Sequence, residues 1–157
     1  MNNKLLNQFR RYDNSFIIIS CAKQKIWDKI PSAGPTPAKD AYVSAYFRKC
    51  RAFAEKYGTG WAIFSAKYGI ISSDFIINEN YDVSFKAGSS ALAETKLEQQ
   101  LVDMKIEKYE AMISLCGQSY YKKLESVCKR LNLSLQNPLA HLGIGKRMRL
   151  LKKALEV

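Results

Sequence analysis

Small polar and reactive side chains follow the first buried strand predicted along the chain. Residues 16–19 are Phe-Ile-Ile-Ile, and Ser20, Cys21, Lys23 and Lys25 come directly after them. In parallel α/β sheets, ligands collect beyond the carboxyl ends of the strands. Positive charge near Cys21 would favour its thiolate and make it a nucleophile. The alternative for this cysteine is a small buried residue that completes the strand.

Two further strands are predicted to end in the same way, at residues 61–64 and 111–115. The residues that follow them are Ser65, Lys67, Tyr68 and Gly69 in the first case, and Gly117, Gln118 and Ser119 in the second. Hydroxyls, backbone N–H groups and glycines let a planar or phosphorylated ligand approach the main chain, although tight turns need the same glycines. Lysines there suit a phosphate or a carboxylate, and the alternative is that they are solvated loop residues.

Two more candidates come from segments that are predicted to border this edge of the sheet. Tyr42 lies near the start of a predicted helix, and Asp82 lies in an irregular segment where its carboxylate would serve as a general base or hydrogen-bond acceptor. Most tyrosines at such a position are core or boundary residues, and solvation explains Asp82 equally well. The predicted catalytic residues are Cys21, Lys23 and Lys67, and the predicted substrate-binding residues are Ser20, Lys25, Tyr42, Ser65, Tyr68, Gly69, Asp82 and Gly117.

The sequence predicts no metal and no cofactor. Its four cysteines form no C-x-x-C pair, and it has a single histidine, so neither a zinc site nor a Cys-His catalytic pair is indicated. Neither a Walker A loop nor a G-x-G-x-x-G fingerprint is present.

Strands that alternate with helical patterns predict an α/β fold with three layers, α/β/α, around a mostly parallel sheet of four or five strands. Residues 27–37 contain three prolines and a glycine, which predicts a loop and a candidate lid. Thr36 and Pro37 suit the start of a helix that continues until Gly58.

Three predictions concern later elements. Residues 70–85 are expected to be irregular, with one or two short extended pieces. Ser89 or Ser90 is expected to cap the next helix. The last helix is expected to bury a stripe formed by Ile144, Met148, Leu151 and Leu155.

Size and charge limit the class of protein. A chain of 157 residues, 47% of them hydrophobic, predicts one domain over residues 1–157. No apolar run suggests a membrane span, and no apolar core typical of a signal peptide follows Met1, so the expected location is cytoplasmic. The net charge of +11, concentrated toward both ends of the chain, is typical of nucleic-acid or nucleotide binding or of a solvated basic surface. Nothing indicates the oligomeric state.

The motifs together resemble a bacterial and phage domain of unknown function over about residues 15–151. The segments that carry the resemblance are residues 20–25 (S-C-A-K-Q-K), 38–49, 63–69 (ending S-A-K-Y-G), 81–82 and 143–146. The first and third are also similar to the core domain of archaeosine synthase, which acts on the nitrile of a 7-deazaguanine base in tRNA. This resemblance implies a nucleobase pocket around Ser20, Cys21, Lys23, Lys25, Ser65, Lys67, Tyr68 and Gly69, although the chain has no separate RNA-binding module.

The leading hypothesis is a small enzyme that modifies a nucleobase or nucleotide-like substrate, either free or in nucleic acid. In it, Cys21 adds to an electrophilic carbon of the base while Lys23 or Lys67 holds an anionic group or transfers a proton. One alternative is a non-catalytic module that binds nucleic acid or nucleotides. Another is an N-glycosidic bond hydrolase or transferase that uses a carboxylate and a bound water instead of Cys21.

Overall fold

Strands and helices alternate along the computed structural model, which describes residues 4–9, 12–85 and 92–157. The strands are β1 Ser15–Ser20, β2 Thr36–Pro37, β3 Gly60–Ser65, β4 Gly69–Ile71, β5 Ile76–Ile77, β6 Ala111–Ser114 and β7 Leu135–Gln136. The helices are α1 Lys4–Phe9, α2 Ile26–Lys29, α3 Ala38–Ala41, α4 Ala45–Tyr57, α5 Glu94–Asp103, α6 Gln118–Arg130 and α7 Ile144–Leu155, with a 3-10 turn at Ile106–Lys108.

The main sheet has five strands in the order β4-β3-β1-β6-β7. Strand β1 is central and runs parallel to β3 and to β6, with Ser20 opposite Phe64 and Ile18 opposite Ser114. Strand β7 is parallel to β6, whereas β4 is an antiparallel edge strand. The predicted mostly parallel sheet is therefore confirmed, and β2 and β5 form a separate small sheet.

Helices cover both faces of the sheet, as three layers require. Because alternate residues of a strand point to opposite faces, Ile17 and Ile19 pack in one core with α4 and α7. Phe16 and Ile18 pack in the other core with side chains of α5 and α6. The continuous apolar run of β1 reflects this burial on both faces.

The single helix predicted from Thr36 to Gly58 is wrong in its first half. Thr36 and Pro37 pair with β5, and α3 ends at Ala41. Tyr42 is extended and pairs with Lys25, and α4 begins after Ser44, whose hydroxyl accepts a hydrogen bond from the Phe47 N–H. The N-cap of the long helix is thus Ser44, and Gly58 ends it as predicted.

Three other predictions need correction or lie outside the described residues. The predicted loop 27–37 begins inside the one-turn helix α2 and ends in β2. The predicted cap at Ser89 or Ser90 lies outside the described residues. In α7, Ile144 is 61% exposed, and the residues that are buried are Arg147, Leu151 and Ala154. Leu151 is buried as predicted and Leu155 packs against the same core, while the Arg147 side chain also turns inward and donates to the carbonyls of Leu142 and Cys116.

The irregular segment 70–85 contains two short strands, β4 and β5, as expected. None of the helices in the described part of the chain combines the length and the apolar composition that a membrane crossing needs.

The outer edge of β4 is closed by the side chain of Gln100. Its carbonyl oxygen accepts from the Ile70 N–H at 2.8 Å, and its amide donates to the Tyr68 carbonyl at 2.9 Å. Gly69 lies between these two contacts with φ +79°, and a Cβ there would lie 2.1 Å from the Gln100 carbonyl oxygen. An alanine at position 69 would therefore both strain the backbone and displace Gln100.

We expect Gly69→Ala to lower the free energy of unfolding by about 3 kcal/mol, because left-handed strain adds to the loss of two hydrogen bonds. Gly34→Ala is the matched control, since Gly34 has φ +68° and nothing within 4 Å of an added Cβ. The free energy of unfolding of Gly34→Ala should fall by about 1 kcal/mol, because this variant adds only backbone strain. Urea denaturation measures both changes, and equal losses would mean that Gln100 is not displaced.

Candidate active site

The carboxyl ends of β1 and β3 lie side by side, because the two strands are parallel neighbours. The Cys21 N–H donates to the Phe64 carbonyl at 2.9 Å, which holds Cys21 beside the end of β3. Ser65 is the last residue of β3 and is fully buried. The two polar strand exits predicted from the sequence therefore meet at one edge of the sheet.

An open cleft lies at this edge between residues 21–28 and residues 80–84. One hollow of about 680 Å³ is lined by Lys23, Gln24, Lys25, Asp28, Asn80, Tyr81 and Asp82. A deeper one of about 410 Å³ is lined by Cys21, Ala22, Lys23, Lys25, Tyr81, Asp82, Val83, Ser84 and Tyr120. Because four residues line both hollows, the two adjoin and are treated together as the cleft, with Cys21 and Tyr120 lining its deeper part.

The sulfur of Cys21 is the target of several hydrogen-bond donors. The Tyr120 hydroxyl lies 3.3 Å from it, and the Ala66 N–H and the Tyr81 hydroxyl are further donors that lower the pKa of the thiol. These bonds and the charge of Lys25 each favour the thiolate and lower the pKa of the thiol. Burial has the largest effect and raises the pKa above the ordinary value of 9.0.

The expected lowering of the Cys21 pKa is therefore wrong, and the resting cysteine is a protonated thiol at neutral pH. Its neighbouring donors are placed to stabilise negative charge on sulfur once a reaction removes the proton. The role of Cys21 as a nucleophile remains a prediction. It is partly exposed, whereas the other three cysteines, Cys50, Cys116 and Cys128, are buried free thiols.

Three hydroxyl groups form a chain beneath the cleft, with Tyr81 at its centre. The Tyr81 oxygen lies 2.8 Å from Ser65 Oγ and 2.5 Å from the Tyr42 oxygen. Ser65 Oγ accepts from the backbone N–H groups of Lys67 and Tyr68. Because Ser65 Oγ already accepts two N–H groups, its own hydroxyl proton is available to donate to Tyr81.

Burial raises the pKa of Tyr42, Tyr81 and Tyr120 above the ordinary value of a tyrosine. The negative charge that Cys21 carries when ionised raises the pKa of all three further. All three hydroxyls are thus protonated at neutral pH and act as hydrogen-bond donors. Tyr42 and Ser65 lie beneath Tyr81 and are almost fully buried, so they position Tyr81.

Lysine side chains cover the ring of Tyr81. The ammonium of Lys25 lies 4.4 Å from the ring centroid, and that of Lys67 lies 5.3 Å from it. Lys25 is only 4% exposed and donates to the Lys23 carbonyl at 3.1 Å. Burial lowers its pKa, while the Cys21 thiolate and Asp28 raise it. These contacts hold positive charge at the wall of the cleft.

An amide–carboxylate contact ties the two walls of the cleft together. Asp28 accepts from the backbone N–H of Lys25 at 2.9 Å and from the Asn80 side chain at 3.1 Å. The hydrogen bond from Lys25 is the main cause of the lowered pKa of Asp28. Asp82 is exposed at the mouth of the cleft.

The remaining predicted residues are placed around the cleft or away from it. Tyr68 packs edge-on against Tyr81 with ring centroids 5.3 Å apart. Ser20 ends β1, and its hydroxyl lowers the pKa of the buried Cys116 thiol. Gly69 and Gly117 are not among the residues that line the cleft, because Gly69 starts β4 and Gly117 precedes α6.

Sequence reasoning did not assign Tyr81, Tyr120, Asp28 and Asn80 to the site. Tyr120 lies in the first turn of α6, and its position shortly after the exit of β6 was the signal for a role in the site. Tyr81 stood between Asn80 and Asp82 in an irregular segment, a place where a single aromatic often packs over a cleft. Asp28 and Asn80 gave no signal, because only the folded chain brings residues 28 and 80 together.

Within the described ranges, no group of three or more His, Cys, Asp or Glu side chains is arranged to hold a metal ion.

Comparisons with known proteins agree with the resemblance to a domain of unknown function. Residues 16–153 match the family of unknown function DUF6884. The chain is 34% identical over 141 residues to the uncharacterised protein YfjM of Bacillus subtilis (strain 168), a match that covers 88% of this chain and 93% of that protein. No solved structure matches the chain significantly.

Proposed function

Because the chain belongs to the DUF6884 family, whose function is unknown, we infer its function from the cleft. We propose that the protein is an enzyme that binds a nucleobase or nucleotide-like substrate. In this proposal, Cys21 attacks an electrophilic carbon of the base. The observation that carries this proposal is the place of the partly exposed Cys21 thiol in the lining of the cleft, with the Tyr120 hydroxyl 3.3 Å from its sulfur. The hollow that the thiol lines has a volume of about 410 Å³, which lies within the range of small-molecule sites.

The proposed chemistry is the addition of the thiol across a carbon–nitrogen multiple bond. The Cys21 sulfur forms a bond to carbon, and one π electron pair of the carbon–nitrogen multiple bond moves to nitrogen. Nitrogen takes a proton from the Tyr120 hydroxyl, which recovers the proton that Cys21 releases. The step needs no further reactant, and the raised pKa of Cys21 means that the thiol brings its own proton.

A nucleobase is supported by the pairing of aromatic rings with lysines at the cleft. The Tyr81 and Tyr120 side chains line the deeper hollow together with Lys23 and Lys25, so aromatic surface and positive charge lie next to each other there, as a planar ligand with a phosphate requires. The resemblance of residues 20–25 and 65–69 to archaeosine synthase adds a purine-like base of the 7-deazaguanine type as the preferred substrate.

The test is covalent trapping with 6-chloropurine riboside 5′-monophosphate, in which sulfur bonds to C6, chloride leaves, and the thiol proton passes to solvent. We expect one adduct per chain, mapped to Cys21, with a rate that saturates as the probe concentration rises. Cys21→Ser should give no adduct on any cysteine of the native protein. A rate that stays linear in probe concentration and equals that of glutathione would contradict the proposal.

A non-catalytic nucleotide-binding module is the second candidate, and the raised pKa of Cys21 favours it. In that case unreactive mononucleotides would bind the native protein and Cys21→Ala equally, and the chloropurine probe would bind without forming an adduct. An N-glycosidic reaction would instead use Asp82, which lines both hollows of the cleft. Its activity would survive Cys21→Ala and be lost in Asp82→Asn.

A further inference from the structure

A second groove of about 510 Å³ lies on the far side of Tyr68 from the cleft. Tyr68, Phe75 and Met104 give it aromatic and apolar walls, and Lys67 and Lys96 also line it. Its lining is thus apolar surface with two cations, the combination that binds a stacked base next to a phosphate.

A row of aromatic rings joins this groove to the cleft. The ring centroids of Tyr81 and Tyr68 are 5.3 Å apart, and those of Tyr68 and Phe75 are 5.2 Å apart. The ammonium of Lys67 lies 5.3 Å from the Tyr81 ring and 5.2 Å from the Tyr68 ring. Lys67 therefore lines the groove and also contacts the ring of Tyr81, a residue of the cleft wall.

Phe75 is exposed but is held by a well-connected backbone. Its side chain is 37% exposed. Its N–H donates to the Ser72 carbonyl at 3.1 Å, and its carbonyl accepts from the Ala38 N–H at 2.7 Å. A partly exposed aromatic ring on a fixed backbone is a platform on which a base can stack with little loss of side-chain entropy.

We propose that the groove binds the nucleotide next to the one held in the cleft, so that the substrate base belongs to a single strand of nucleic acid. This inference rests on the proposed function and extends it to the substrate class. The adjacent base stacks on Phe75 and Tyr68, and the phosphate between the two nucleotides lies near Lys67. The net charge of +11 attracts the rest of the strand.

The test measures the binding of fluorescent single-stranded oligonucleotides, in separate RNA and DNA arms, by anisotropy. We expect Phe75→Ala to weaken oligonucleotide binding about tenfold or more, because a stacked base is lost. Lys96→Ala should weaken oligonucleotide binding less than Phe75→Ala does. It should also reduce the slope of the salt dependence by the amount expected for about one lost phosphate contact.

The matched controls are Ile76→Ala, an exposed apolar neighbour outside the groove, and Lys153→Ala on α7. Neither control should change oligonucleotide binding by more than about twofold.

The same variants are then treated with 6-chloropurine riboside 5′-monophosphate, which occupies only the cleft. Phe75→Ala should react with it at the wild-type rate. If Phe75→Ala binds oligonucleotides as tightly as the wild type, or no more weakly than Ile76→Ala, the groove proposal is overturned while the proposed function stands. If the mononucleotide probe fails to label Cys21 in every variant, it is the proposed function that fails.

Discussion

Replacing Tyr120 with phenylalanine should slow the alkylation of Cys21 by iodoacetamide about tenfold or more near neutral pH. The Tyr120 hydroxyl hydrogen-bonds to the sulfur at 3.3 Å and lowers the pKa of the thiol. A hydrogen bond to a charged group contributes roughly 1.5–3 kcal/mol, and about 1.4 kcal/mol is a tenfold change in the thiolate fraction. A smaller fraction of Cys21 is therefore ionised in Tyr120→Phe than in the wild type at the same pH.

The sign of the pH dependence follows from the raised pKa of Cys21. Below that pKa the reactive thiolate is a minor species, so the alkylation rate rises with pH through the ordinary value of 9.0 without levelling off there. In Tyr120→Phe the whole profile should move to higher pH. Peptide mapping by mass spectrometry, with time points over a pH series, measures both profiles.

Tyr121→Phe is the matched control, because the Tyr121 hydroxyl hydrogen-bonds to Glu125 at 2.9 Å instead of Cys21. Its alkylation profile should coincide with that of the wild type. If Tyr120→Phe reacts as fast as the wild type or faster, the hydroxyl shields the sulfur instead of stabilising its charge, and the proposed proton transfer through Tyr120 is untenable.

Replacing Arg147 with methionine should lower the free energy of unfolding by about 3 kcal/mol or more, since one buried and two partly buried acceptors lose a donor. The Arg147 guanidinium is 8% exposed and donates to the Leu142 carbonyl at 2.9 Å, the Cys116 carbonyl at 3.1 Å and the Tyr46 hydroxyl at 3.2 Å. Tyr46 donates in turn to the Leu115 carbonyl at 2.7 Å. The Arg147 side chain therefore links α7 and α4 to the end of β6 by hydrogen bonds.

Arg149→Met on the exposed face of the same helix is the control for the loss of one charge, and it should change stability by less than about 0.5 kcal/mol. Arg147→Lys should also be destabilised, because an ammonium cannot reach all three acceptors as the guanidinium fork does. Urea denaturation measures all three variants. Equal midpoints for Arg147→Met and Arg149→Met would show that the buried hydrogen bonds do not contribute.

The centre of the fold was predictable because its signals are local. The apolar run of β1 and the polar residues after it indicate a strand buried on both faces and its exit. The parallel pairing with β3 follows from the helical segment between them. The antiparallel edge strand β4 was harder to recognise, because three residues carry no periodicity that separates a strand from a loop.

The errors come from contacts that are distant in sequence. Helix α3 ends before Tyr42 because that residue pairs with Lys25 and its hydroxyl bonds to Tyr81, and the apolar spacing of residues 43–57 does not reveal the break. The burial of Arg147 in the last helix could not be predicted from the sequence, because the acceptors that make it possible lie on other elements. The sign of the Cys21 pKa shift was predicted from nearby lysines alone, whereas burial, which depends on the whole fold, has the larger effect.

The central claim is that the Cys21 sulfur reacts with a base bound in the adjoining cleft. The most direct measurement is the peptide-mapped occupancy of each of the four cysteines after the native protein has been incubated with 6-chloropurine riboside 5′-monophosphate. We predict saturable modification of Cys21 alone, slowed by an unreactive purine mononucleotide. Modification that is unaffected by the mononucleotide, or that leaves Cys21 unmodified while glutathione reacts, would contradict the claim.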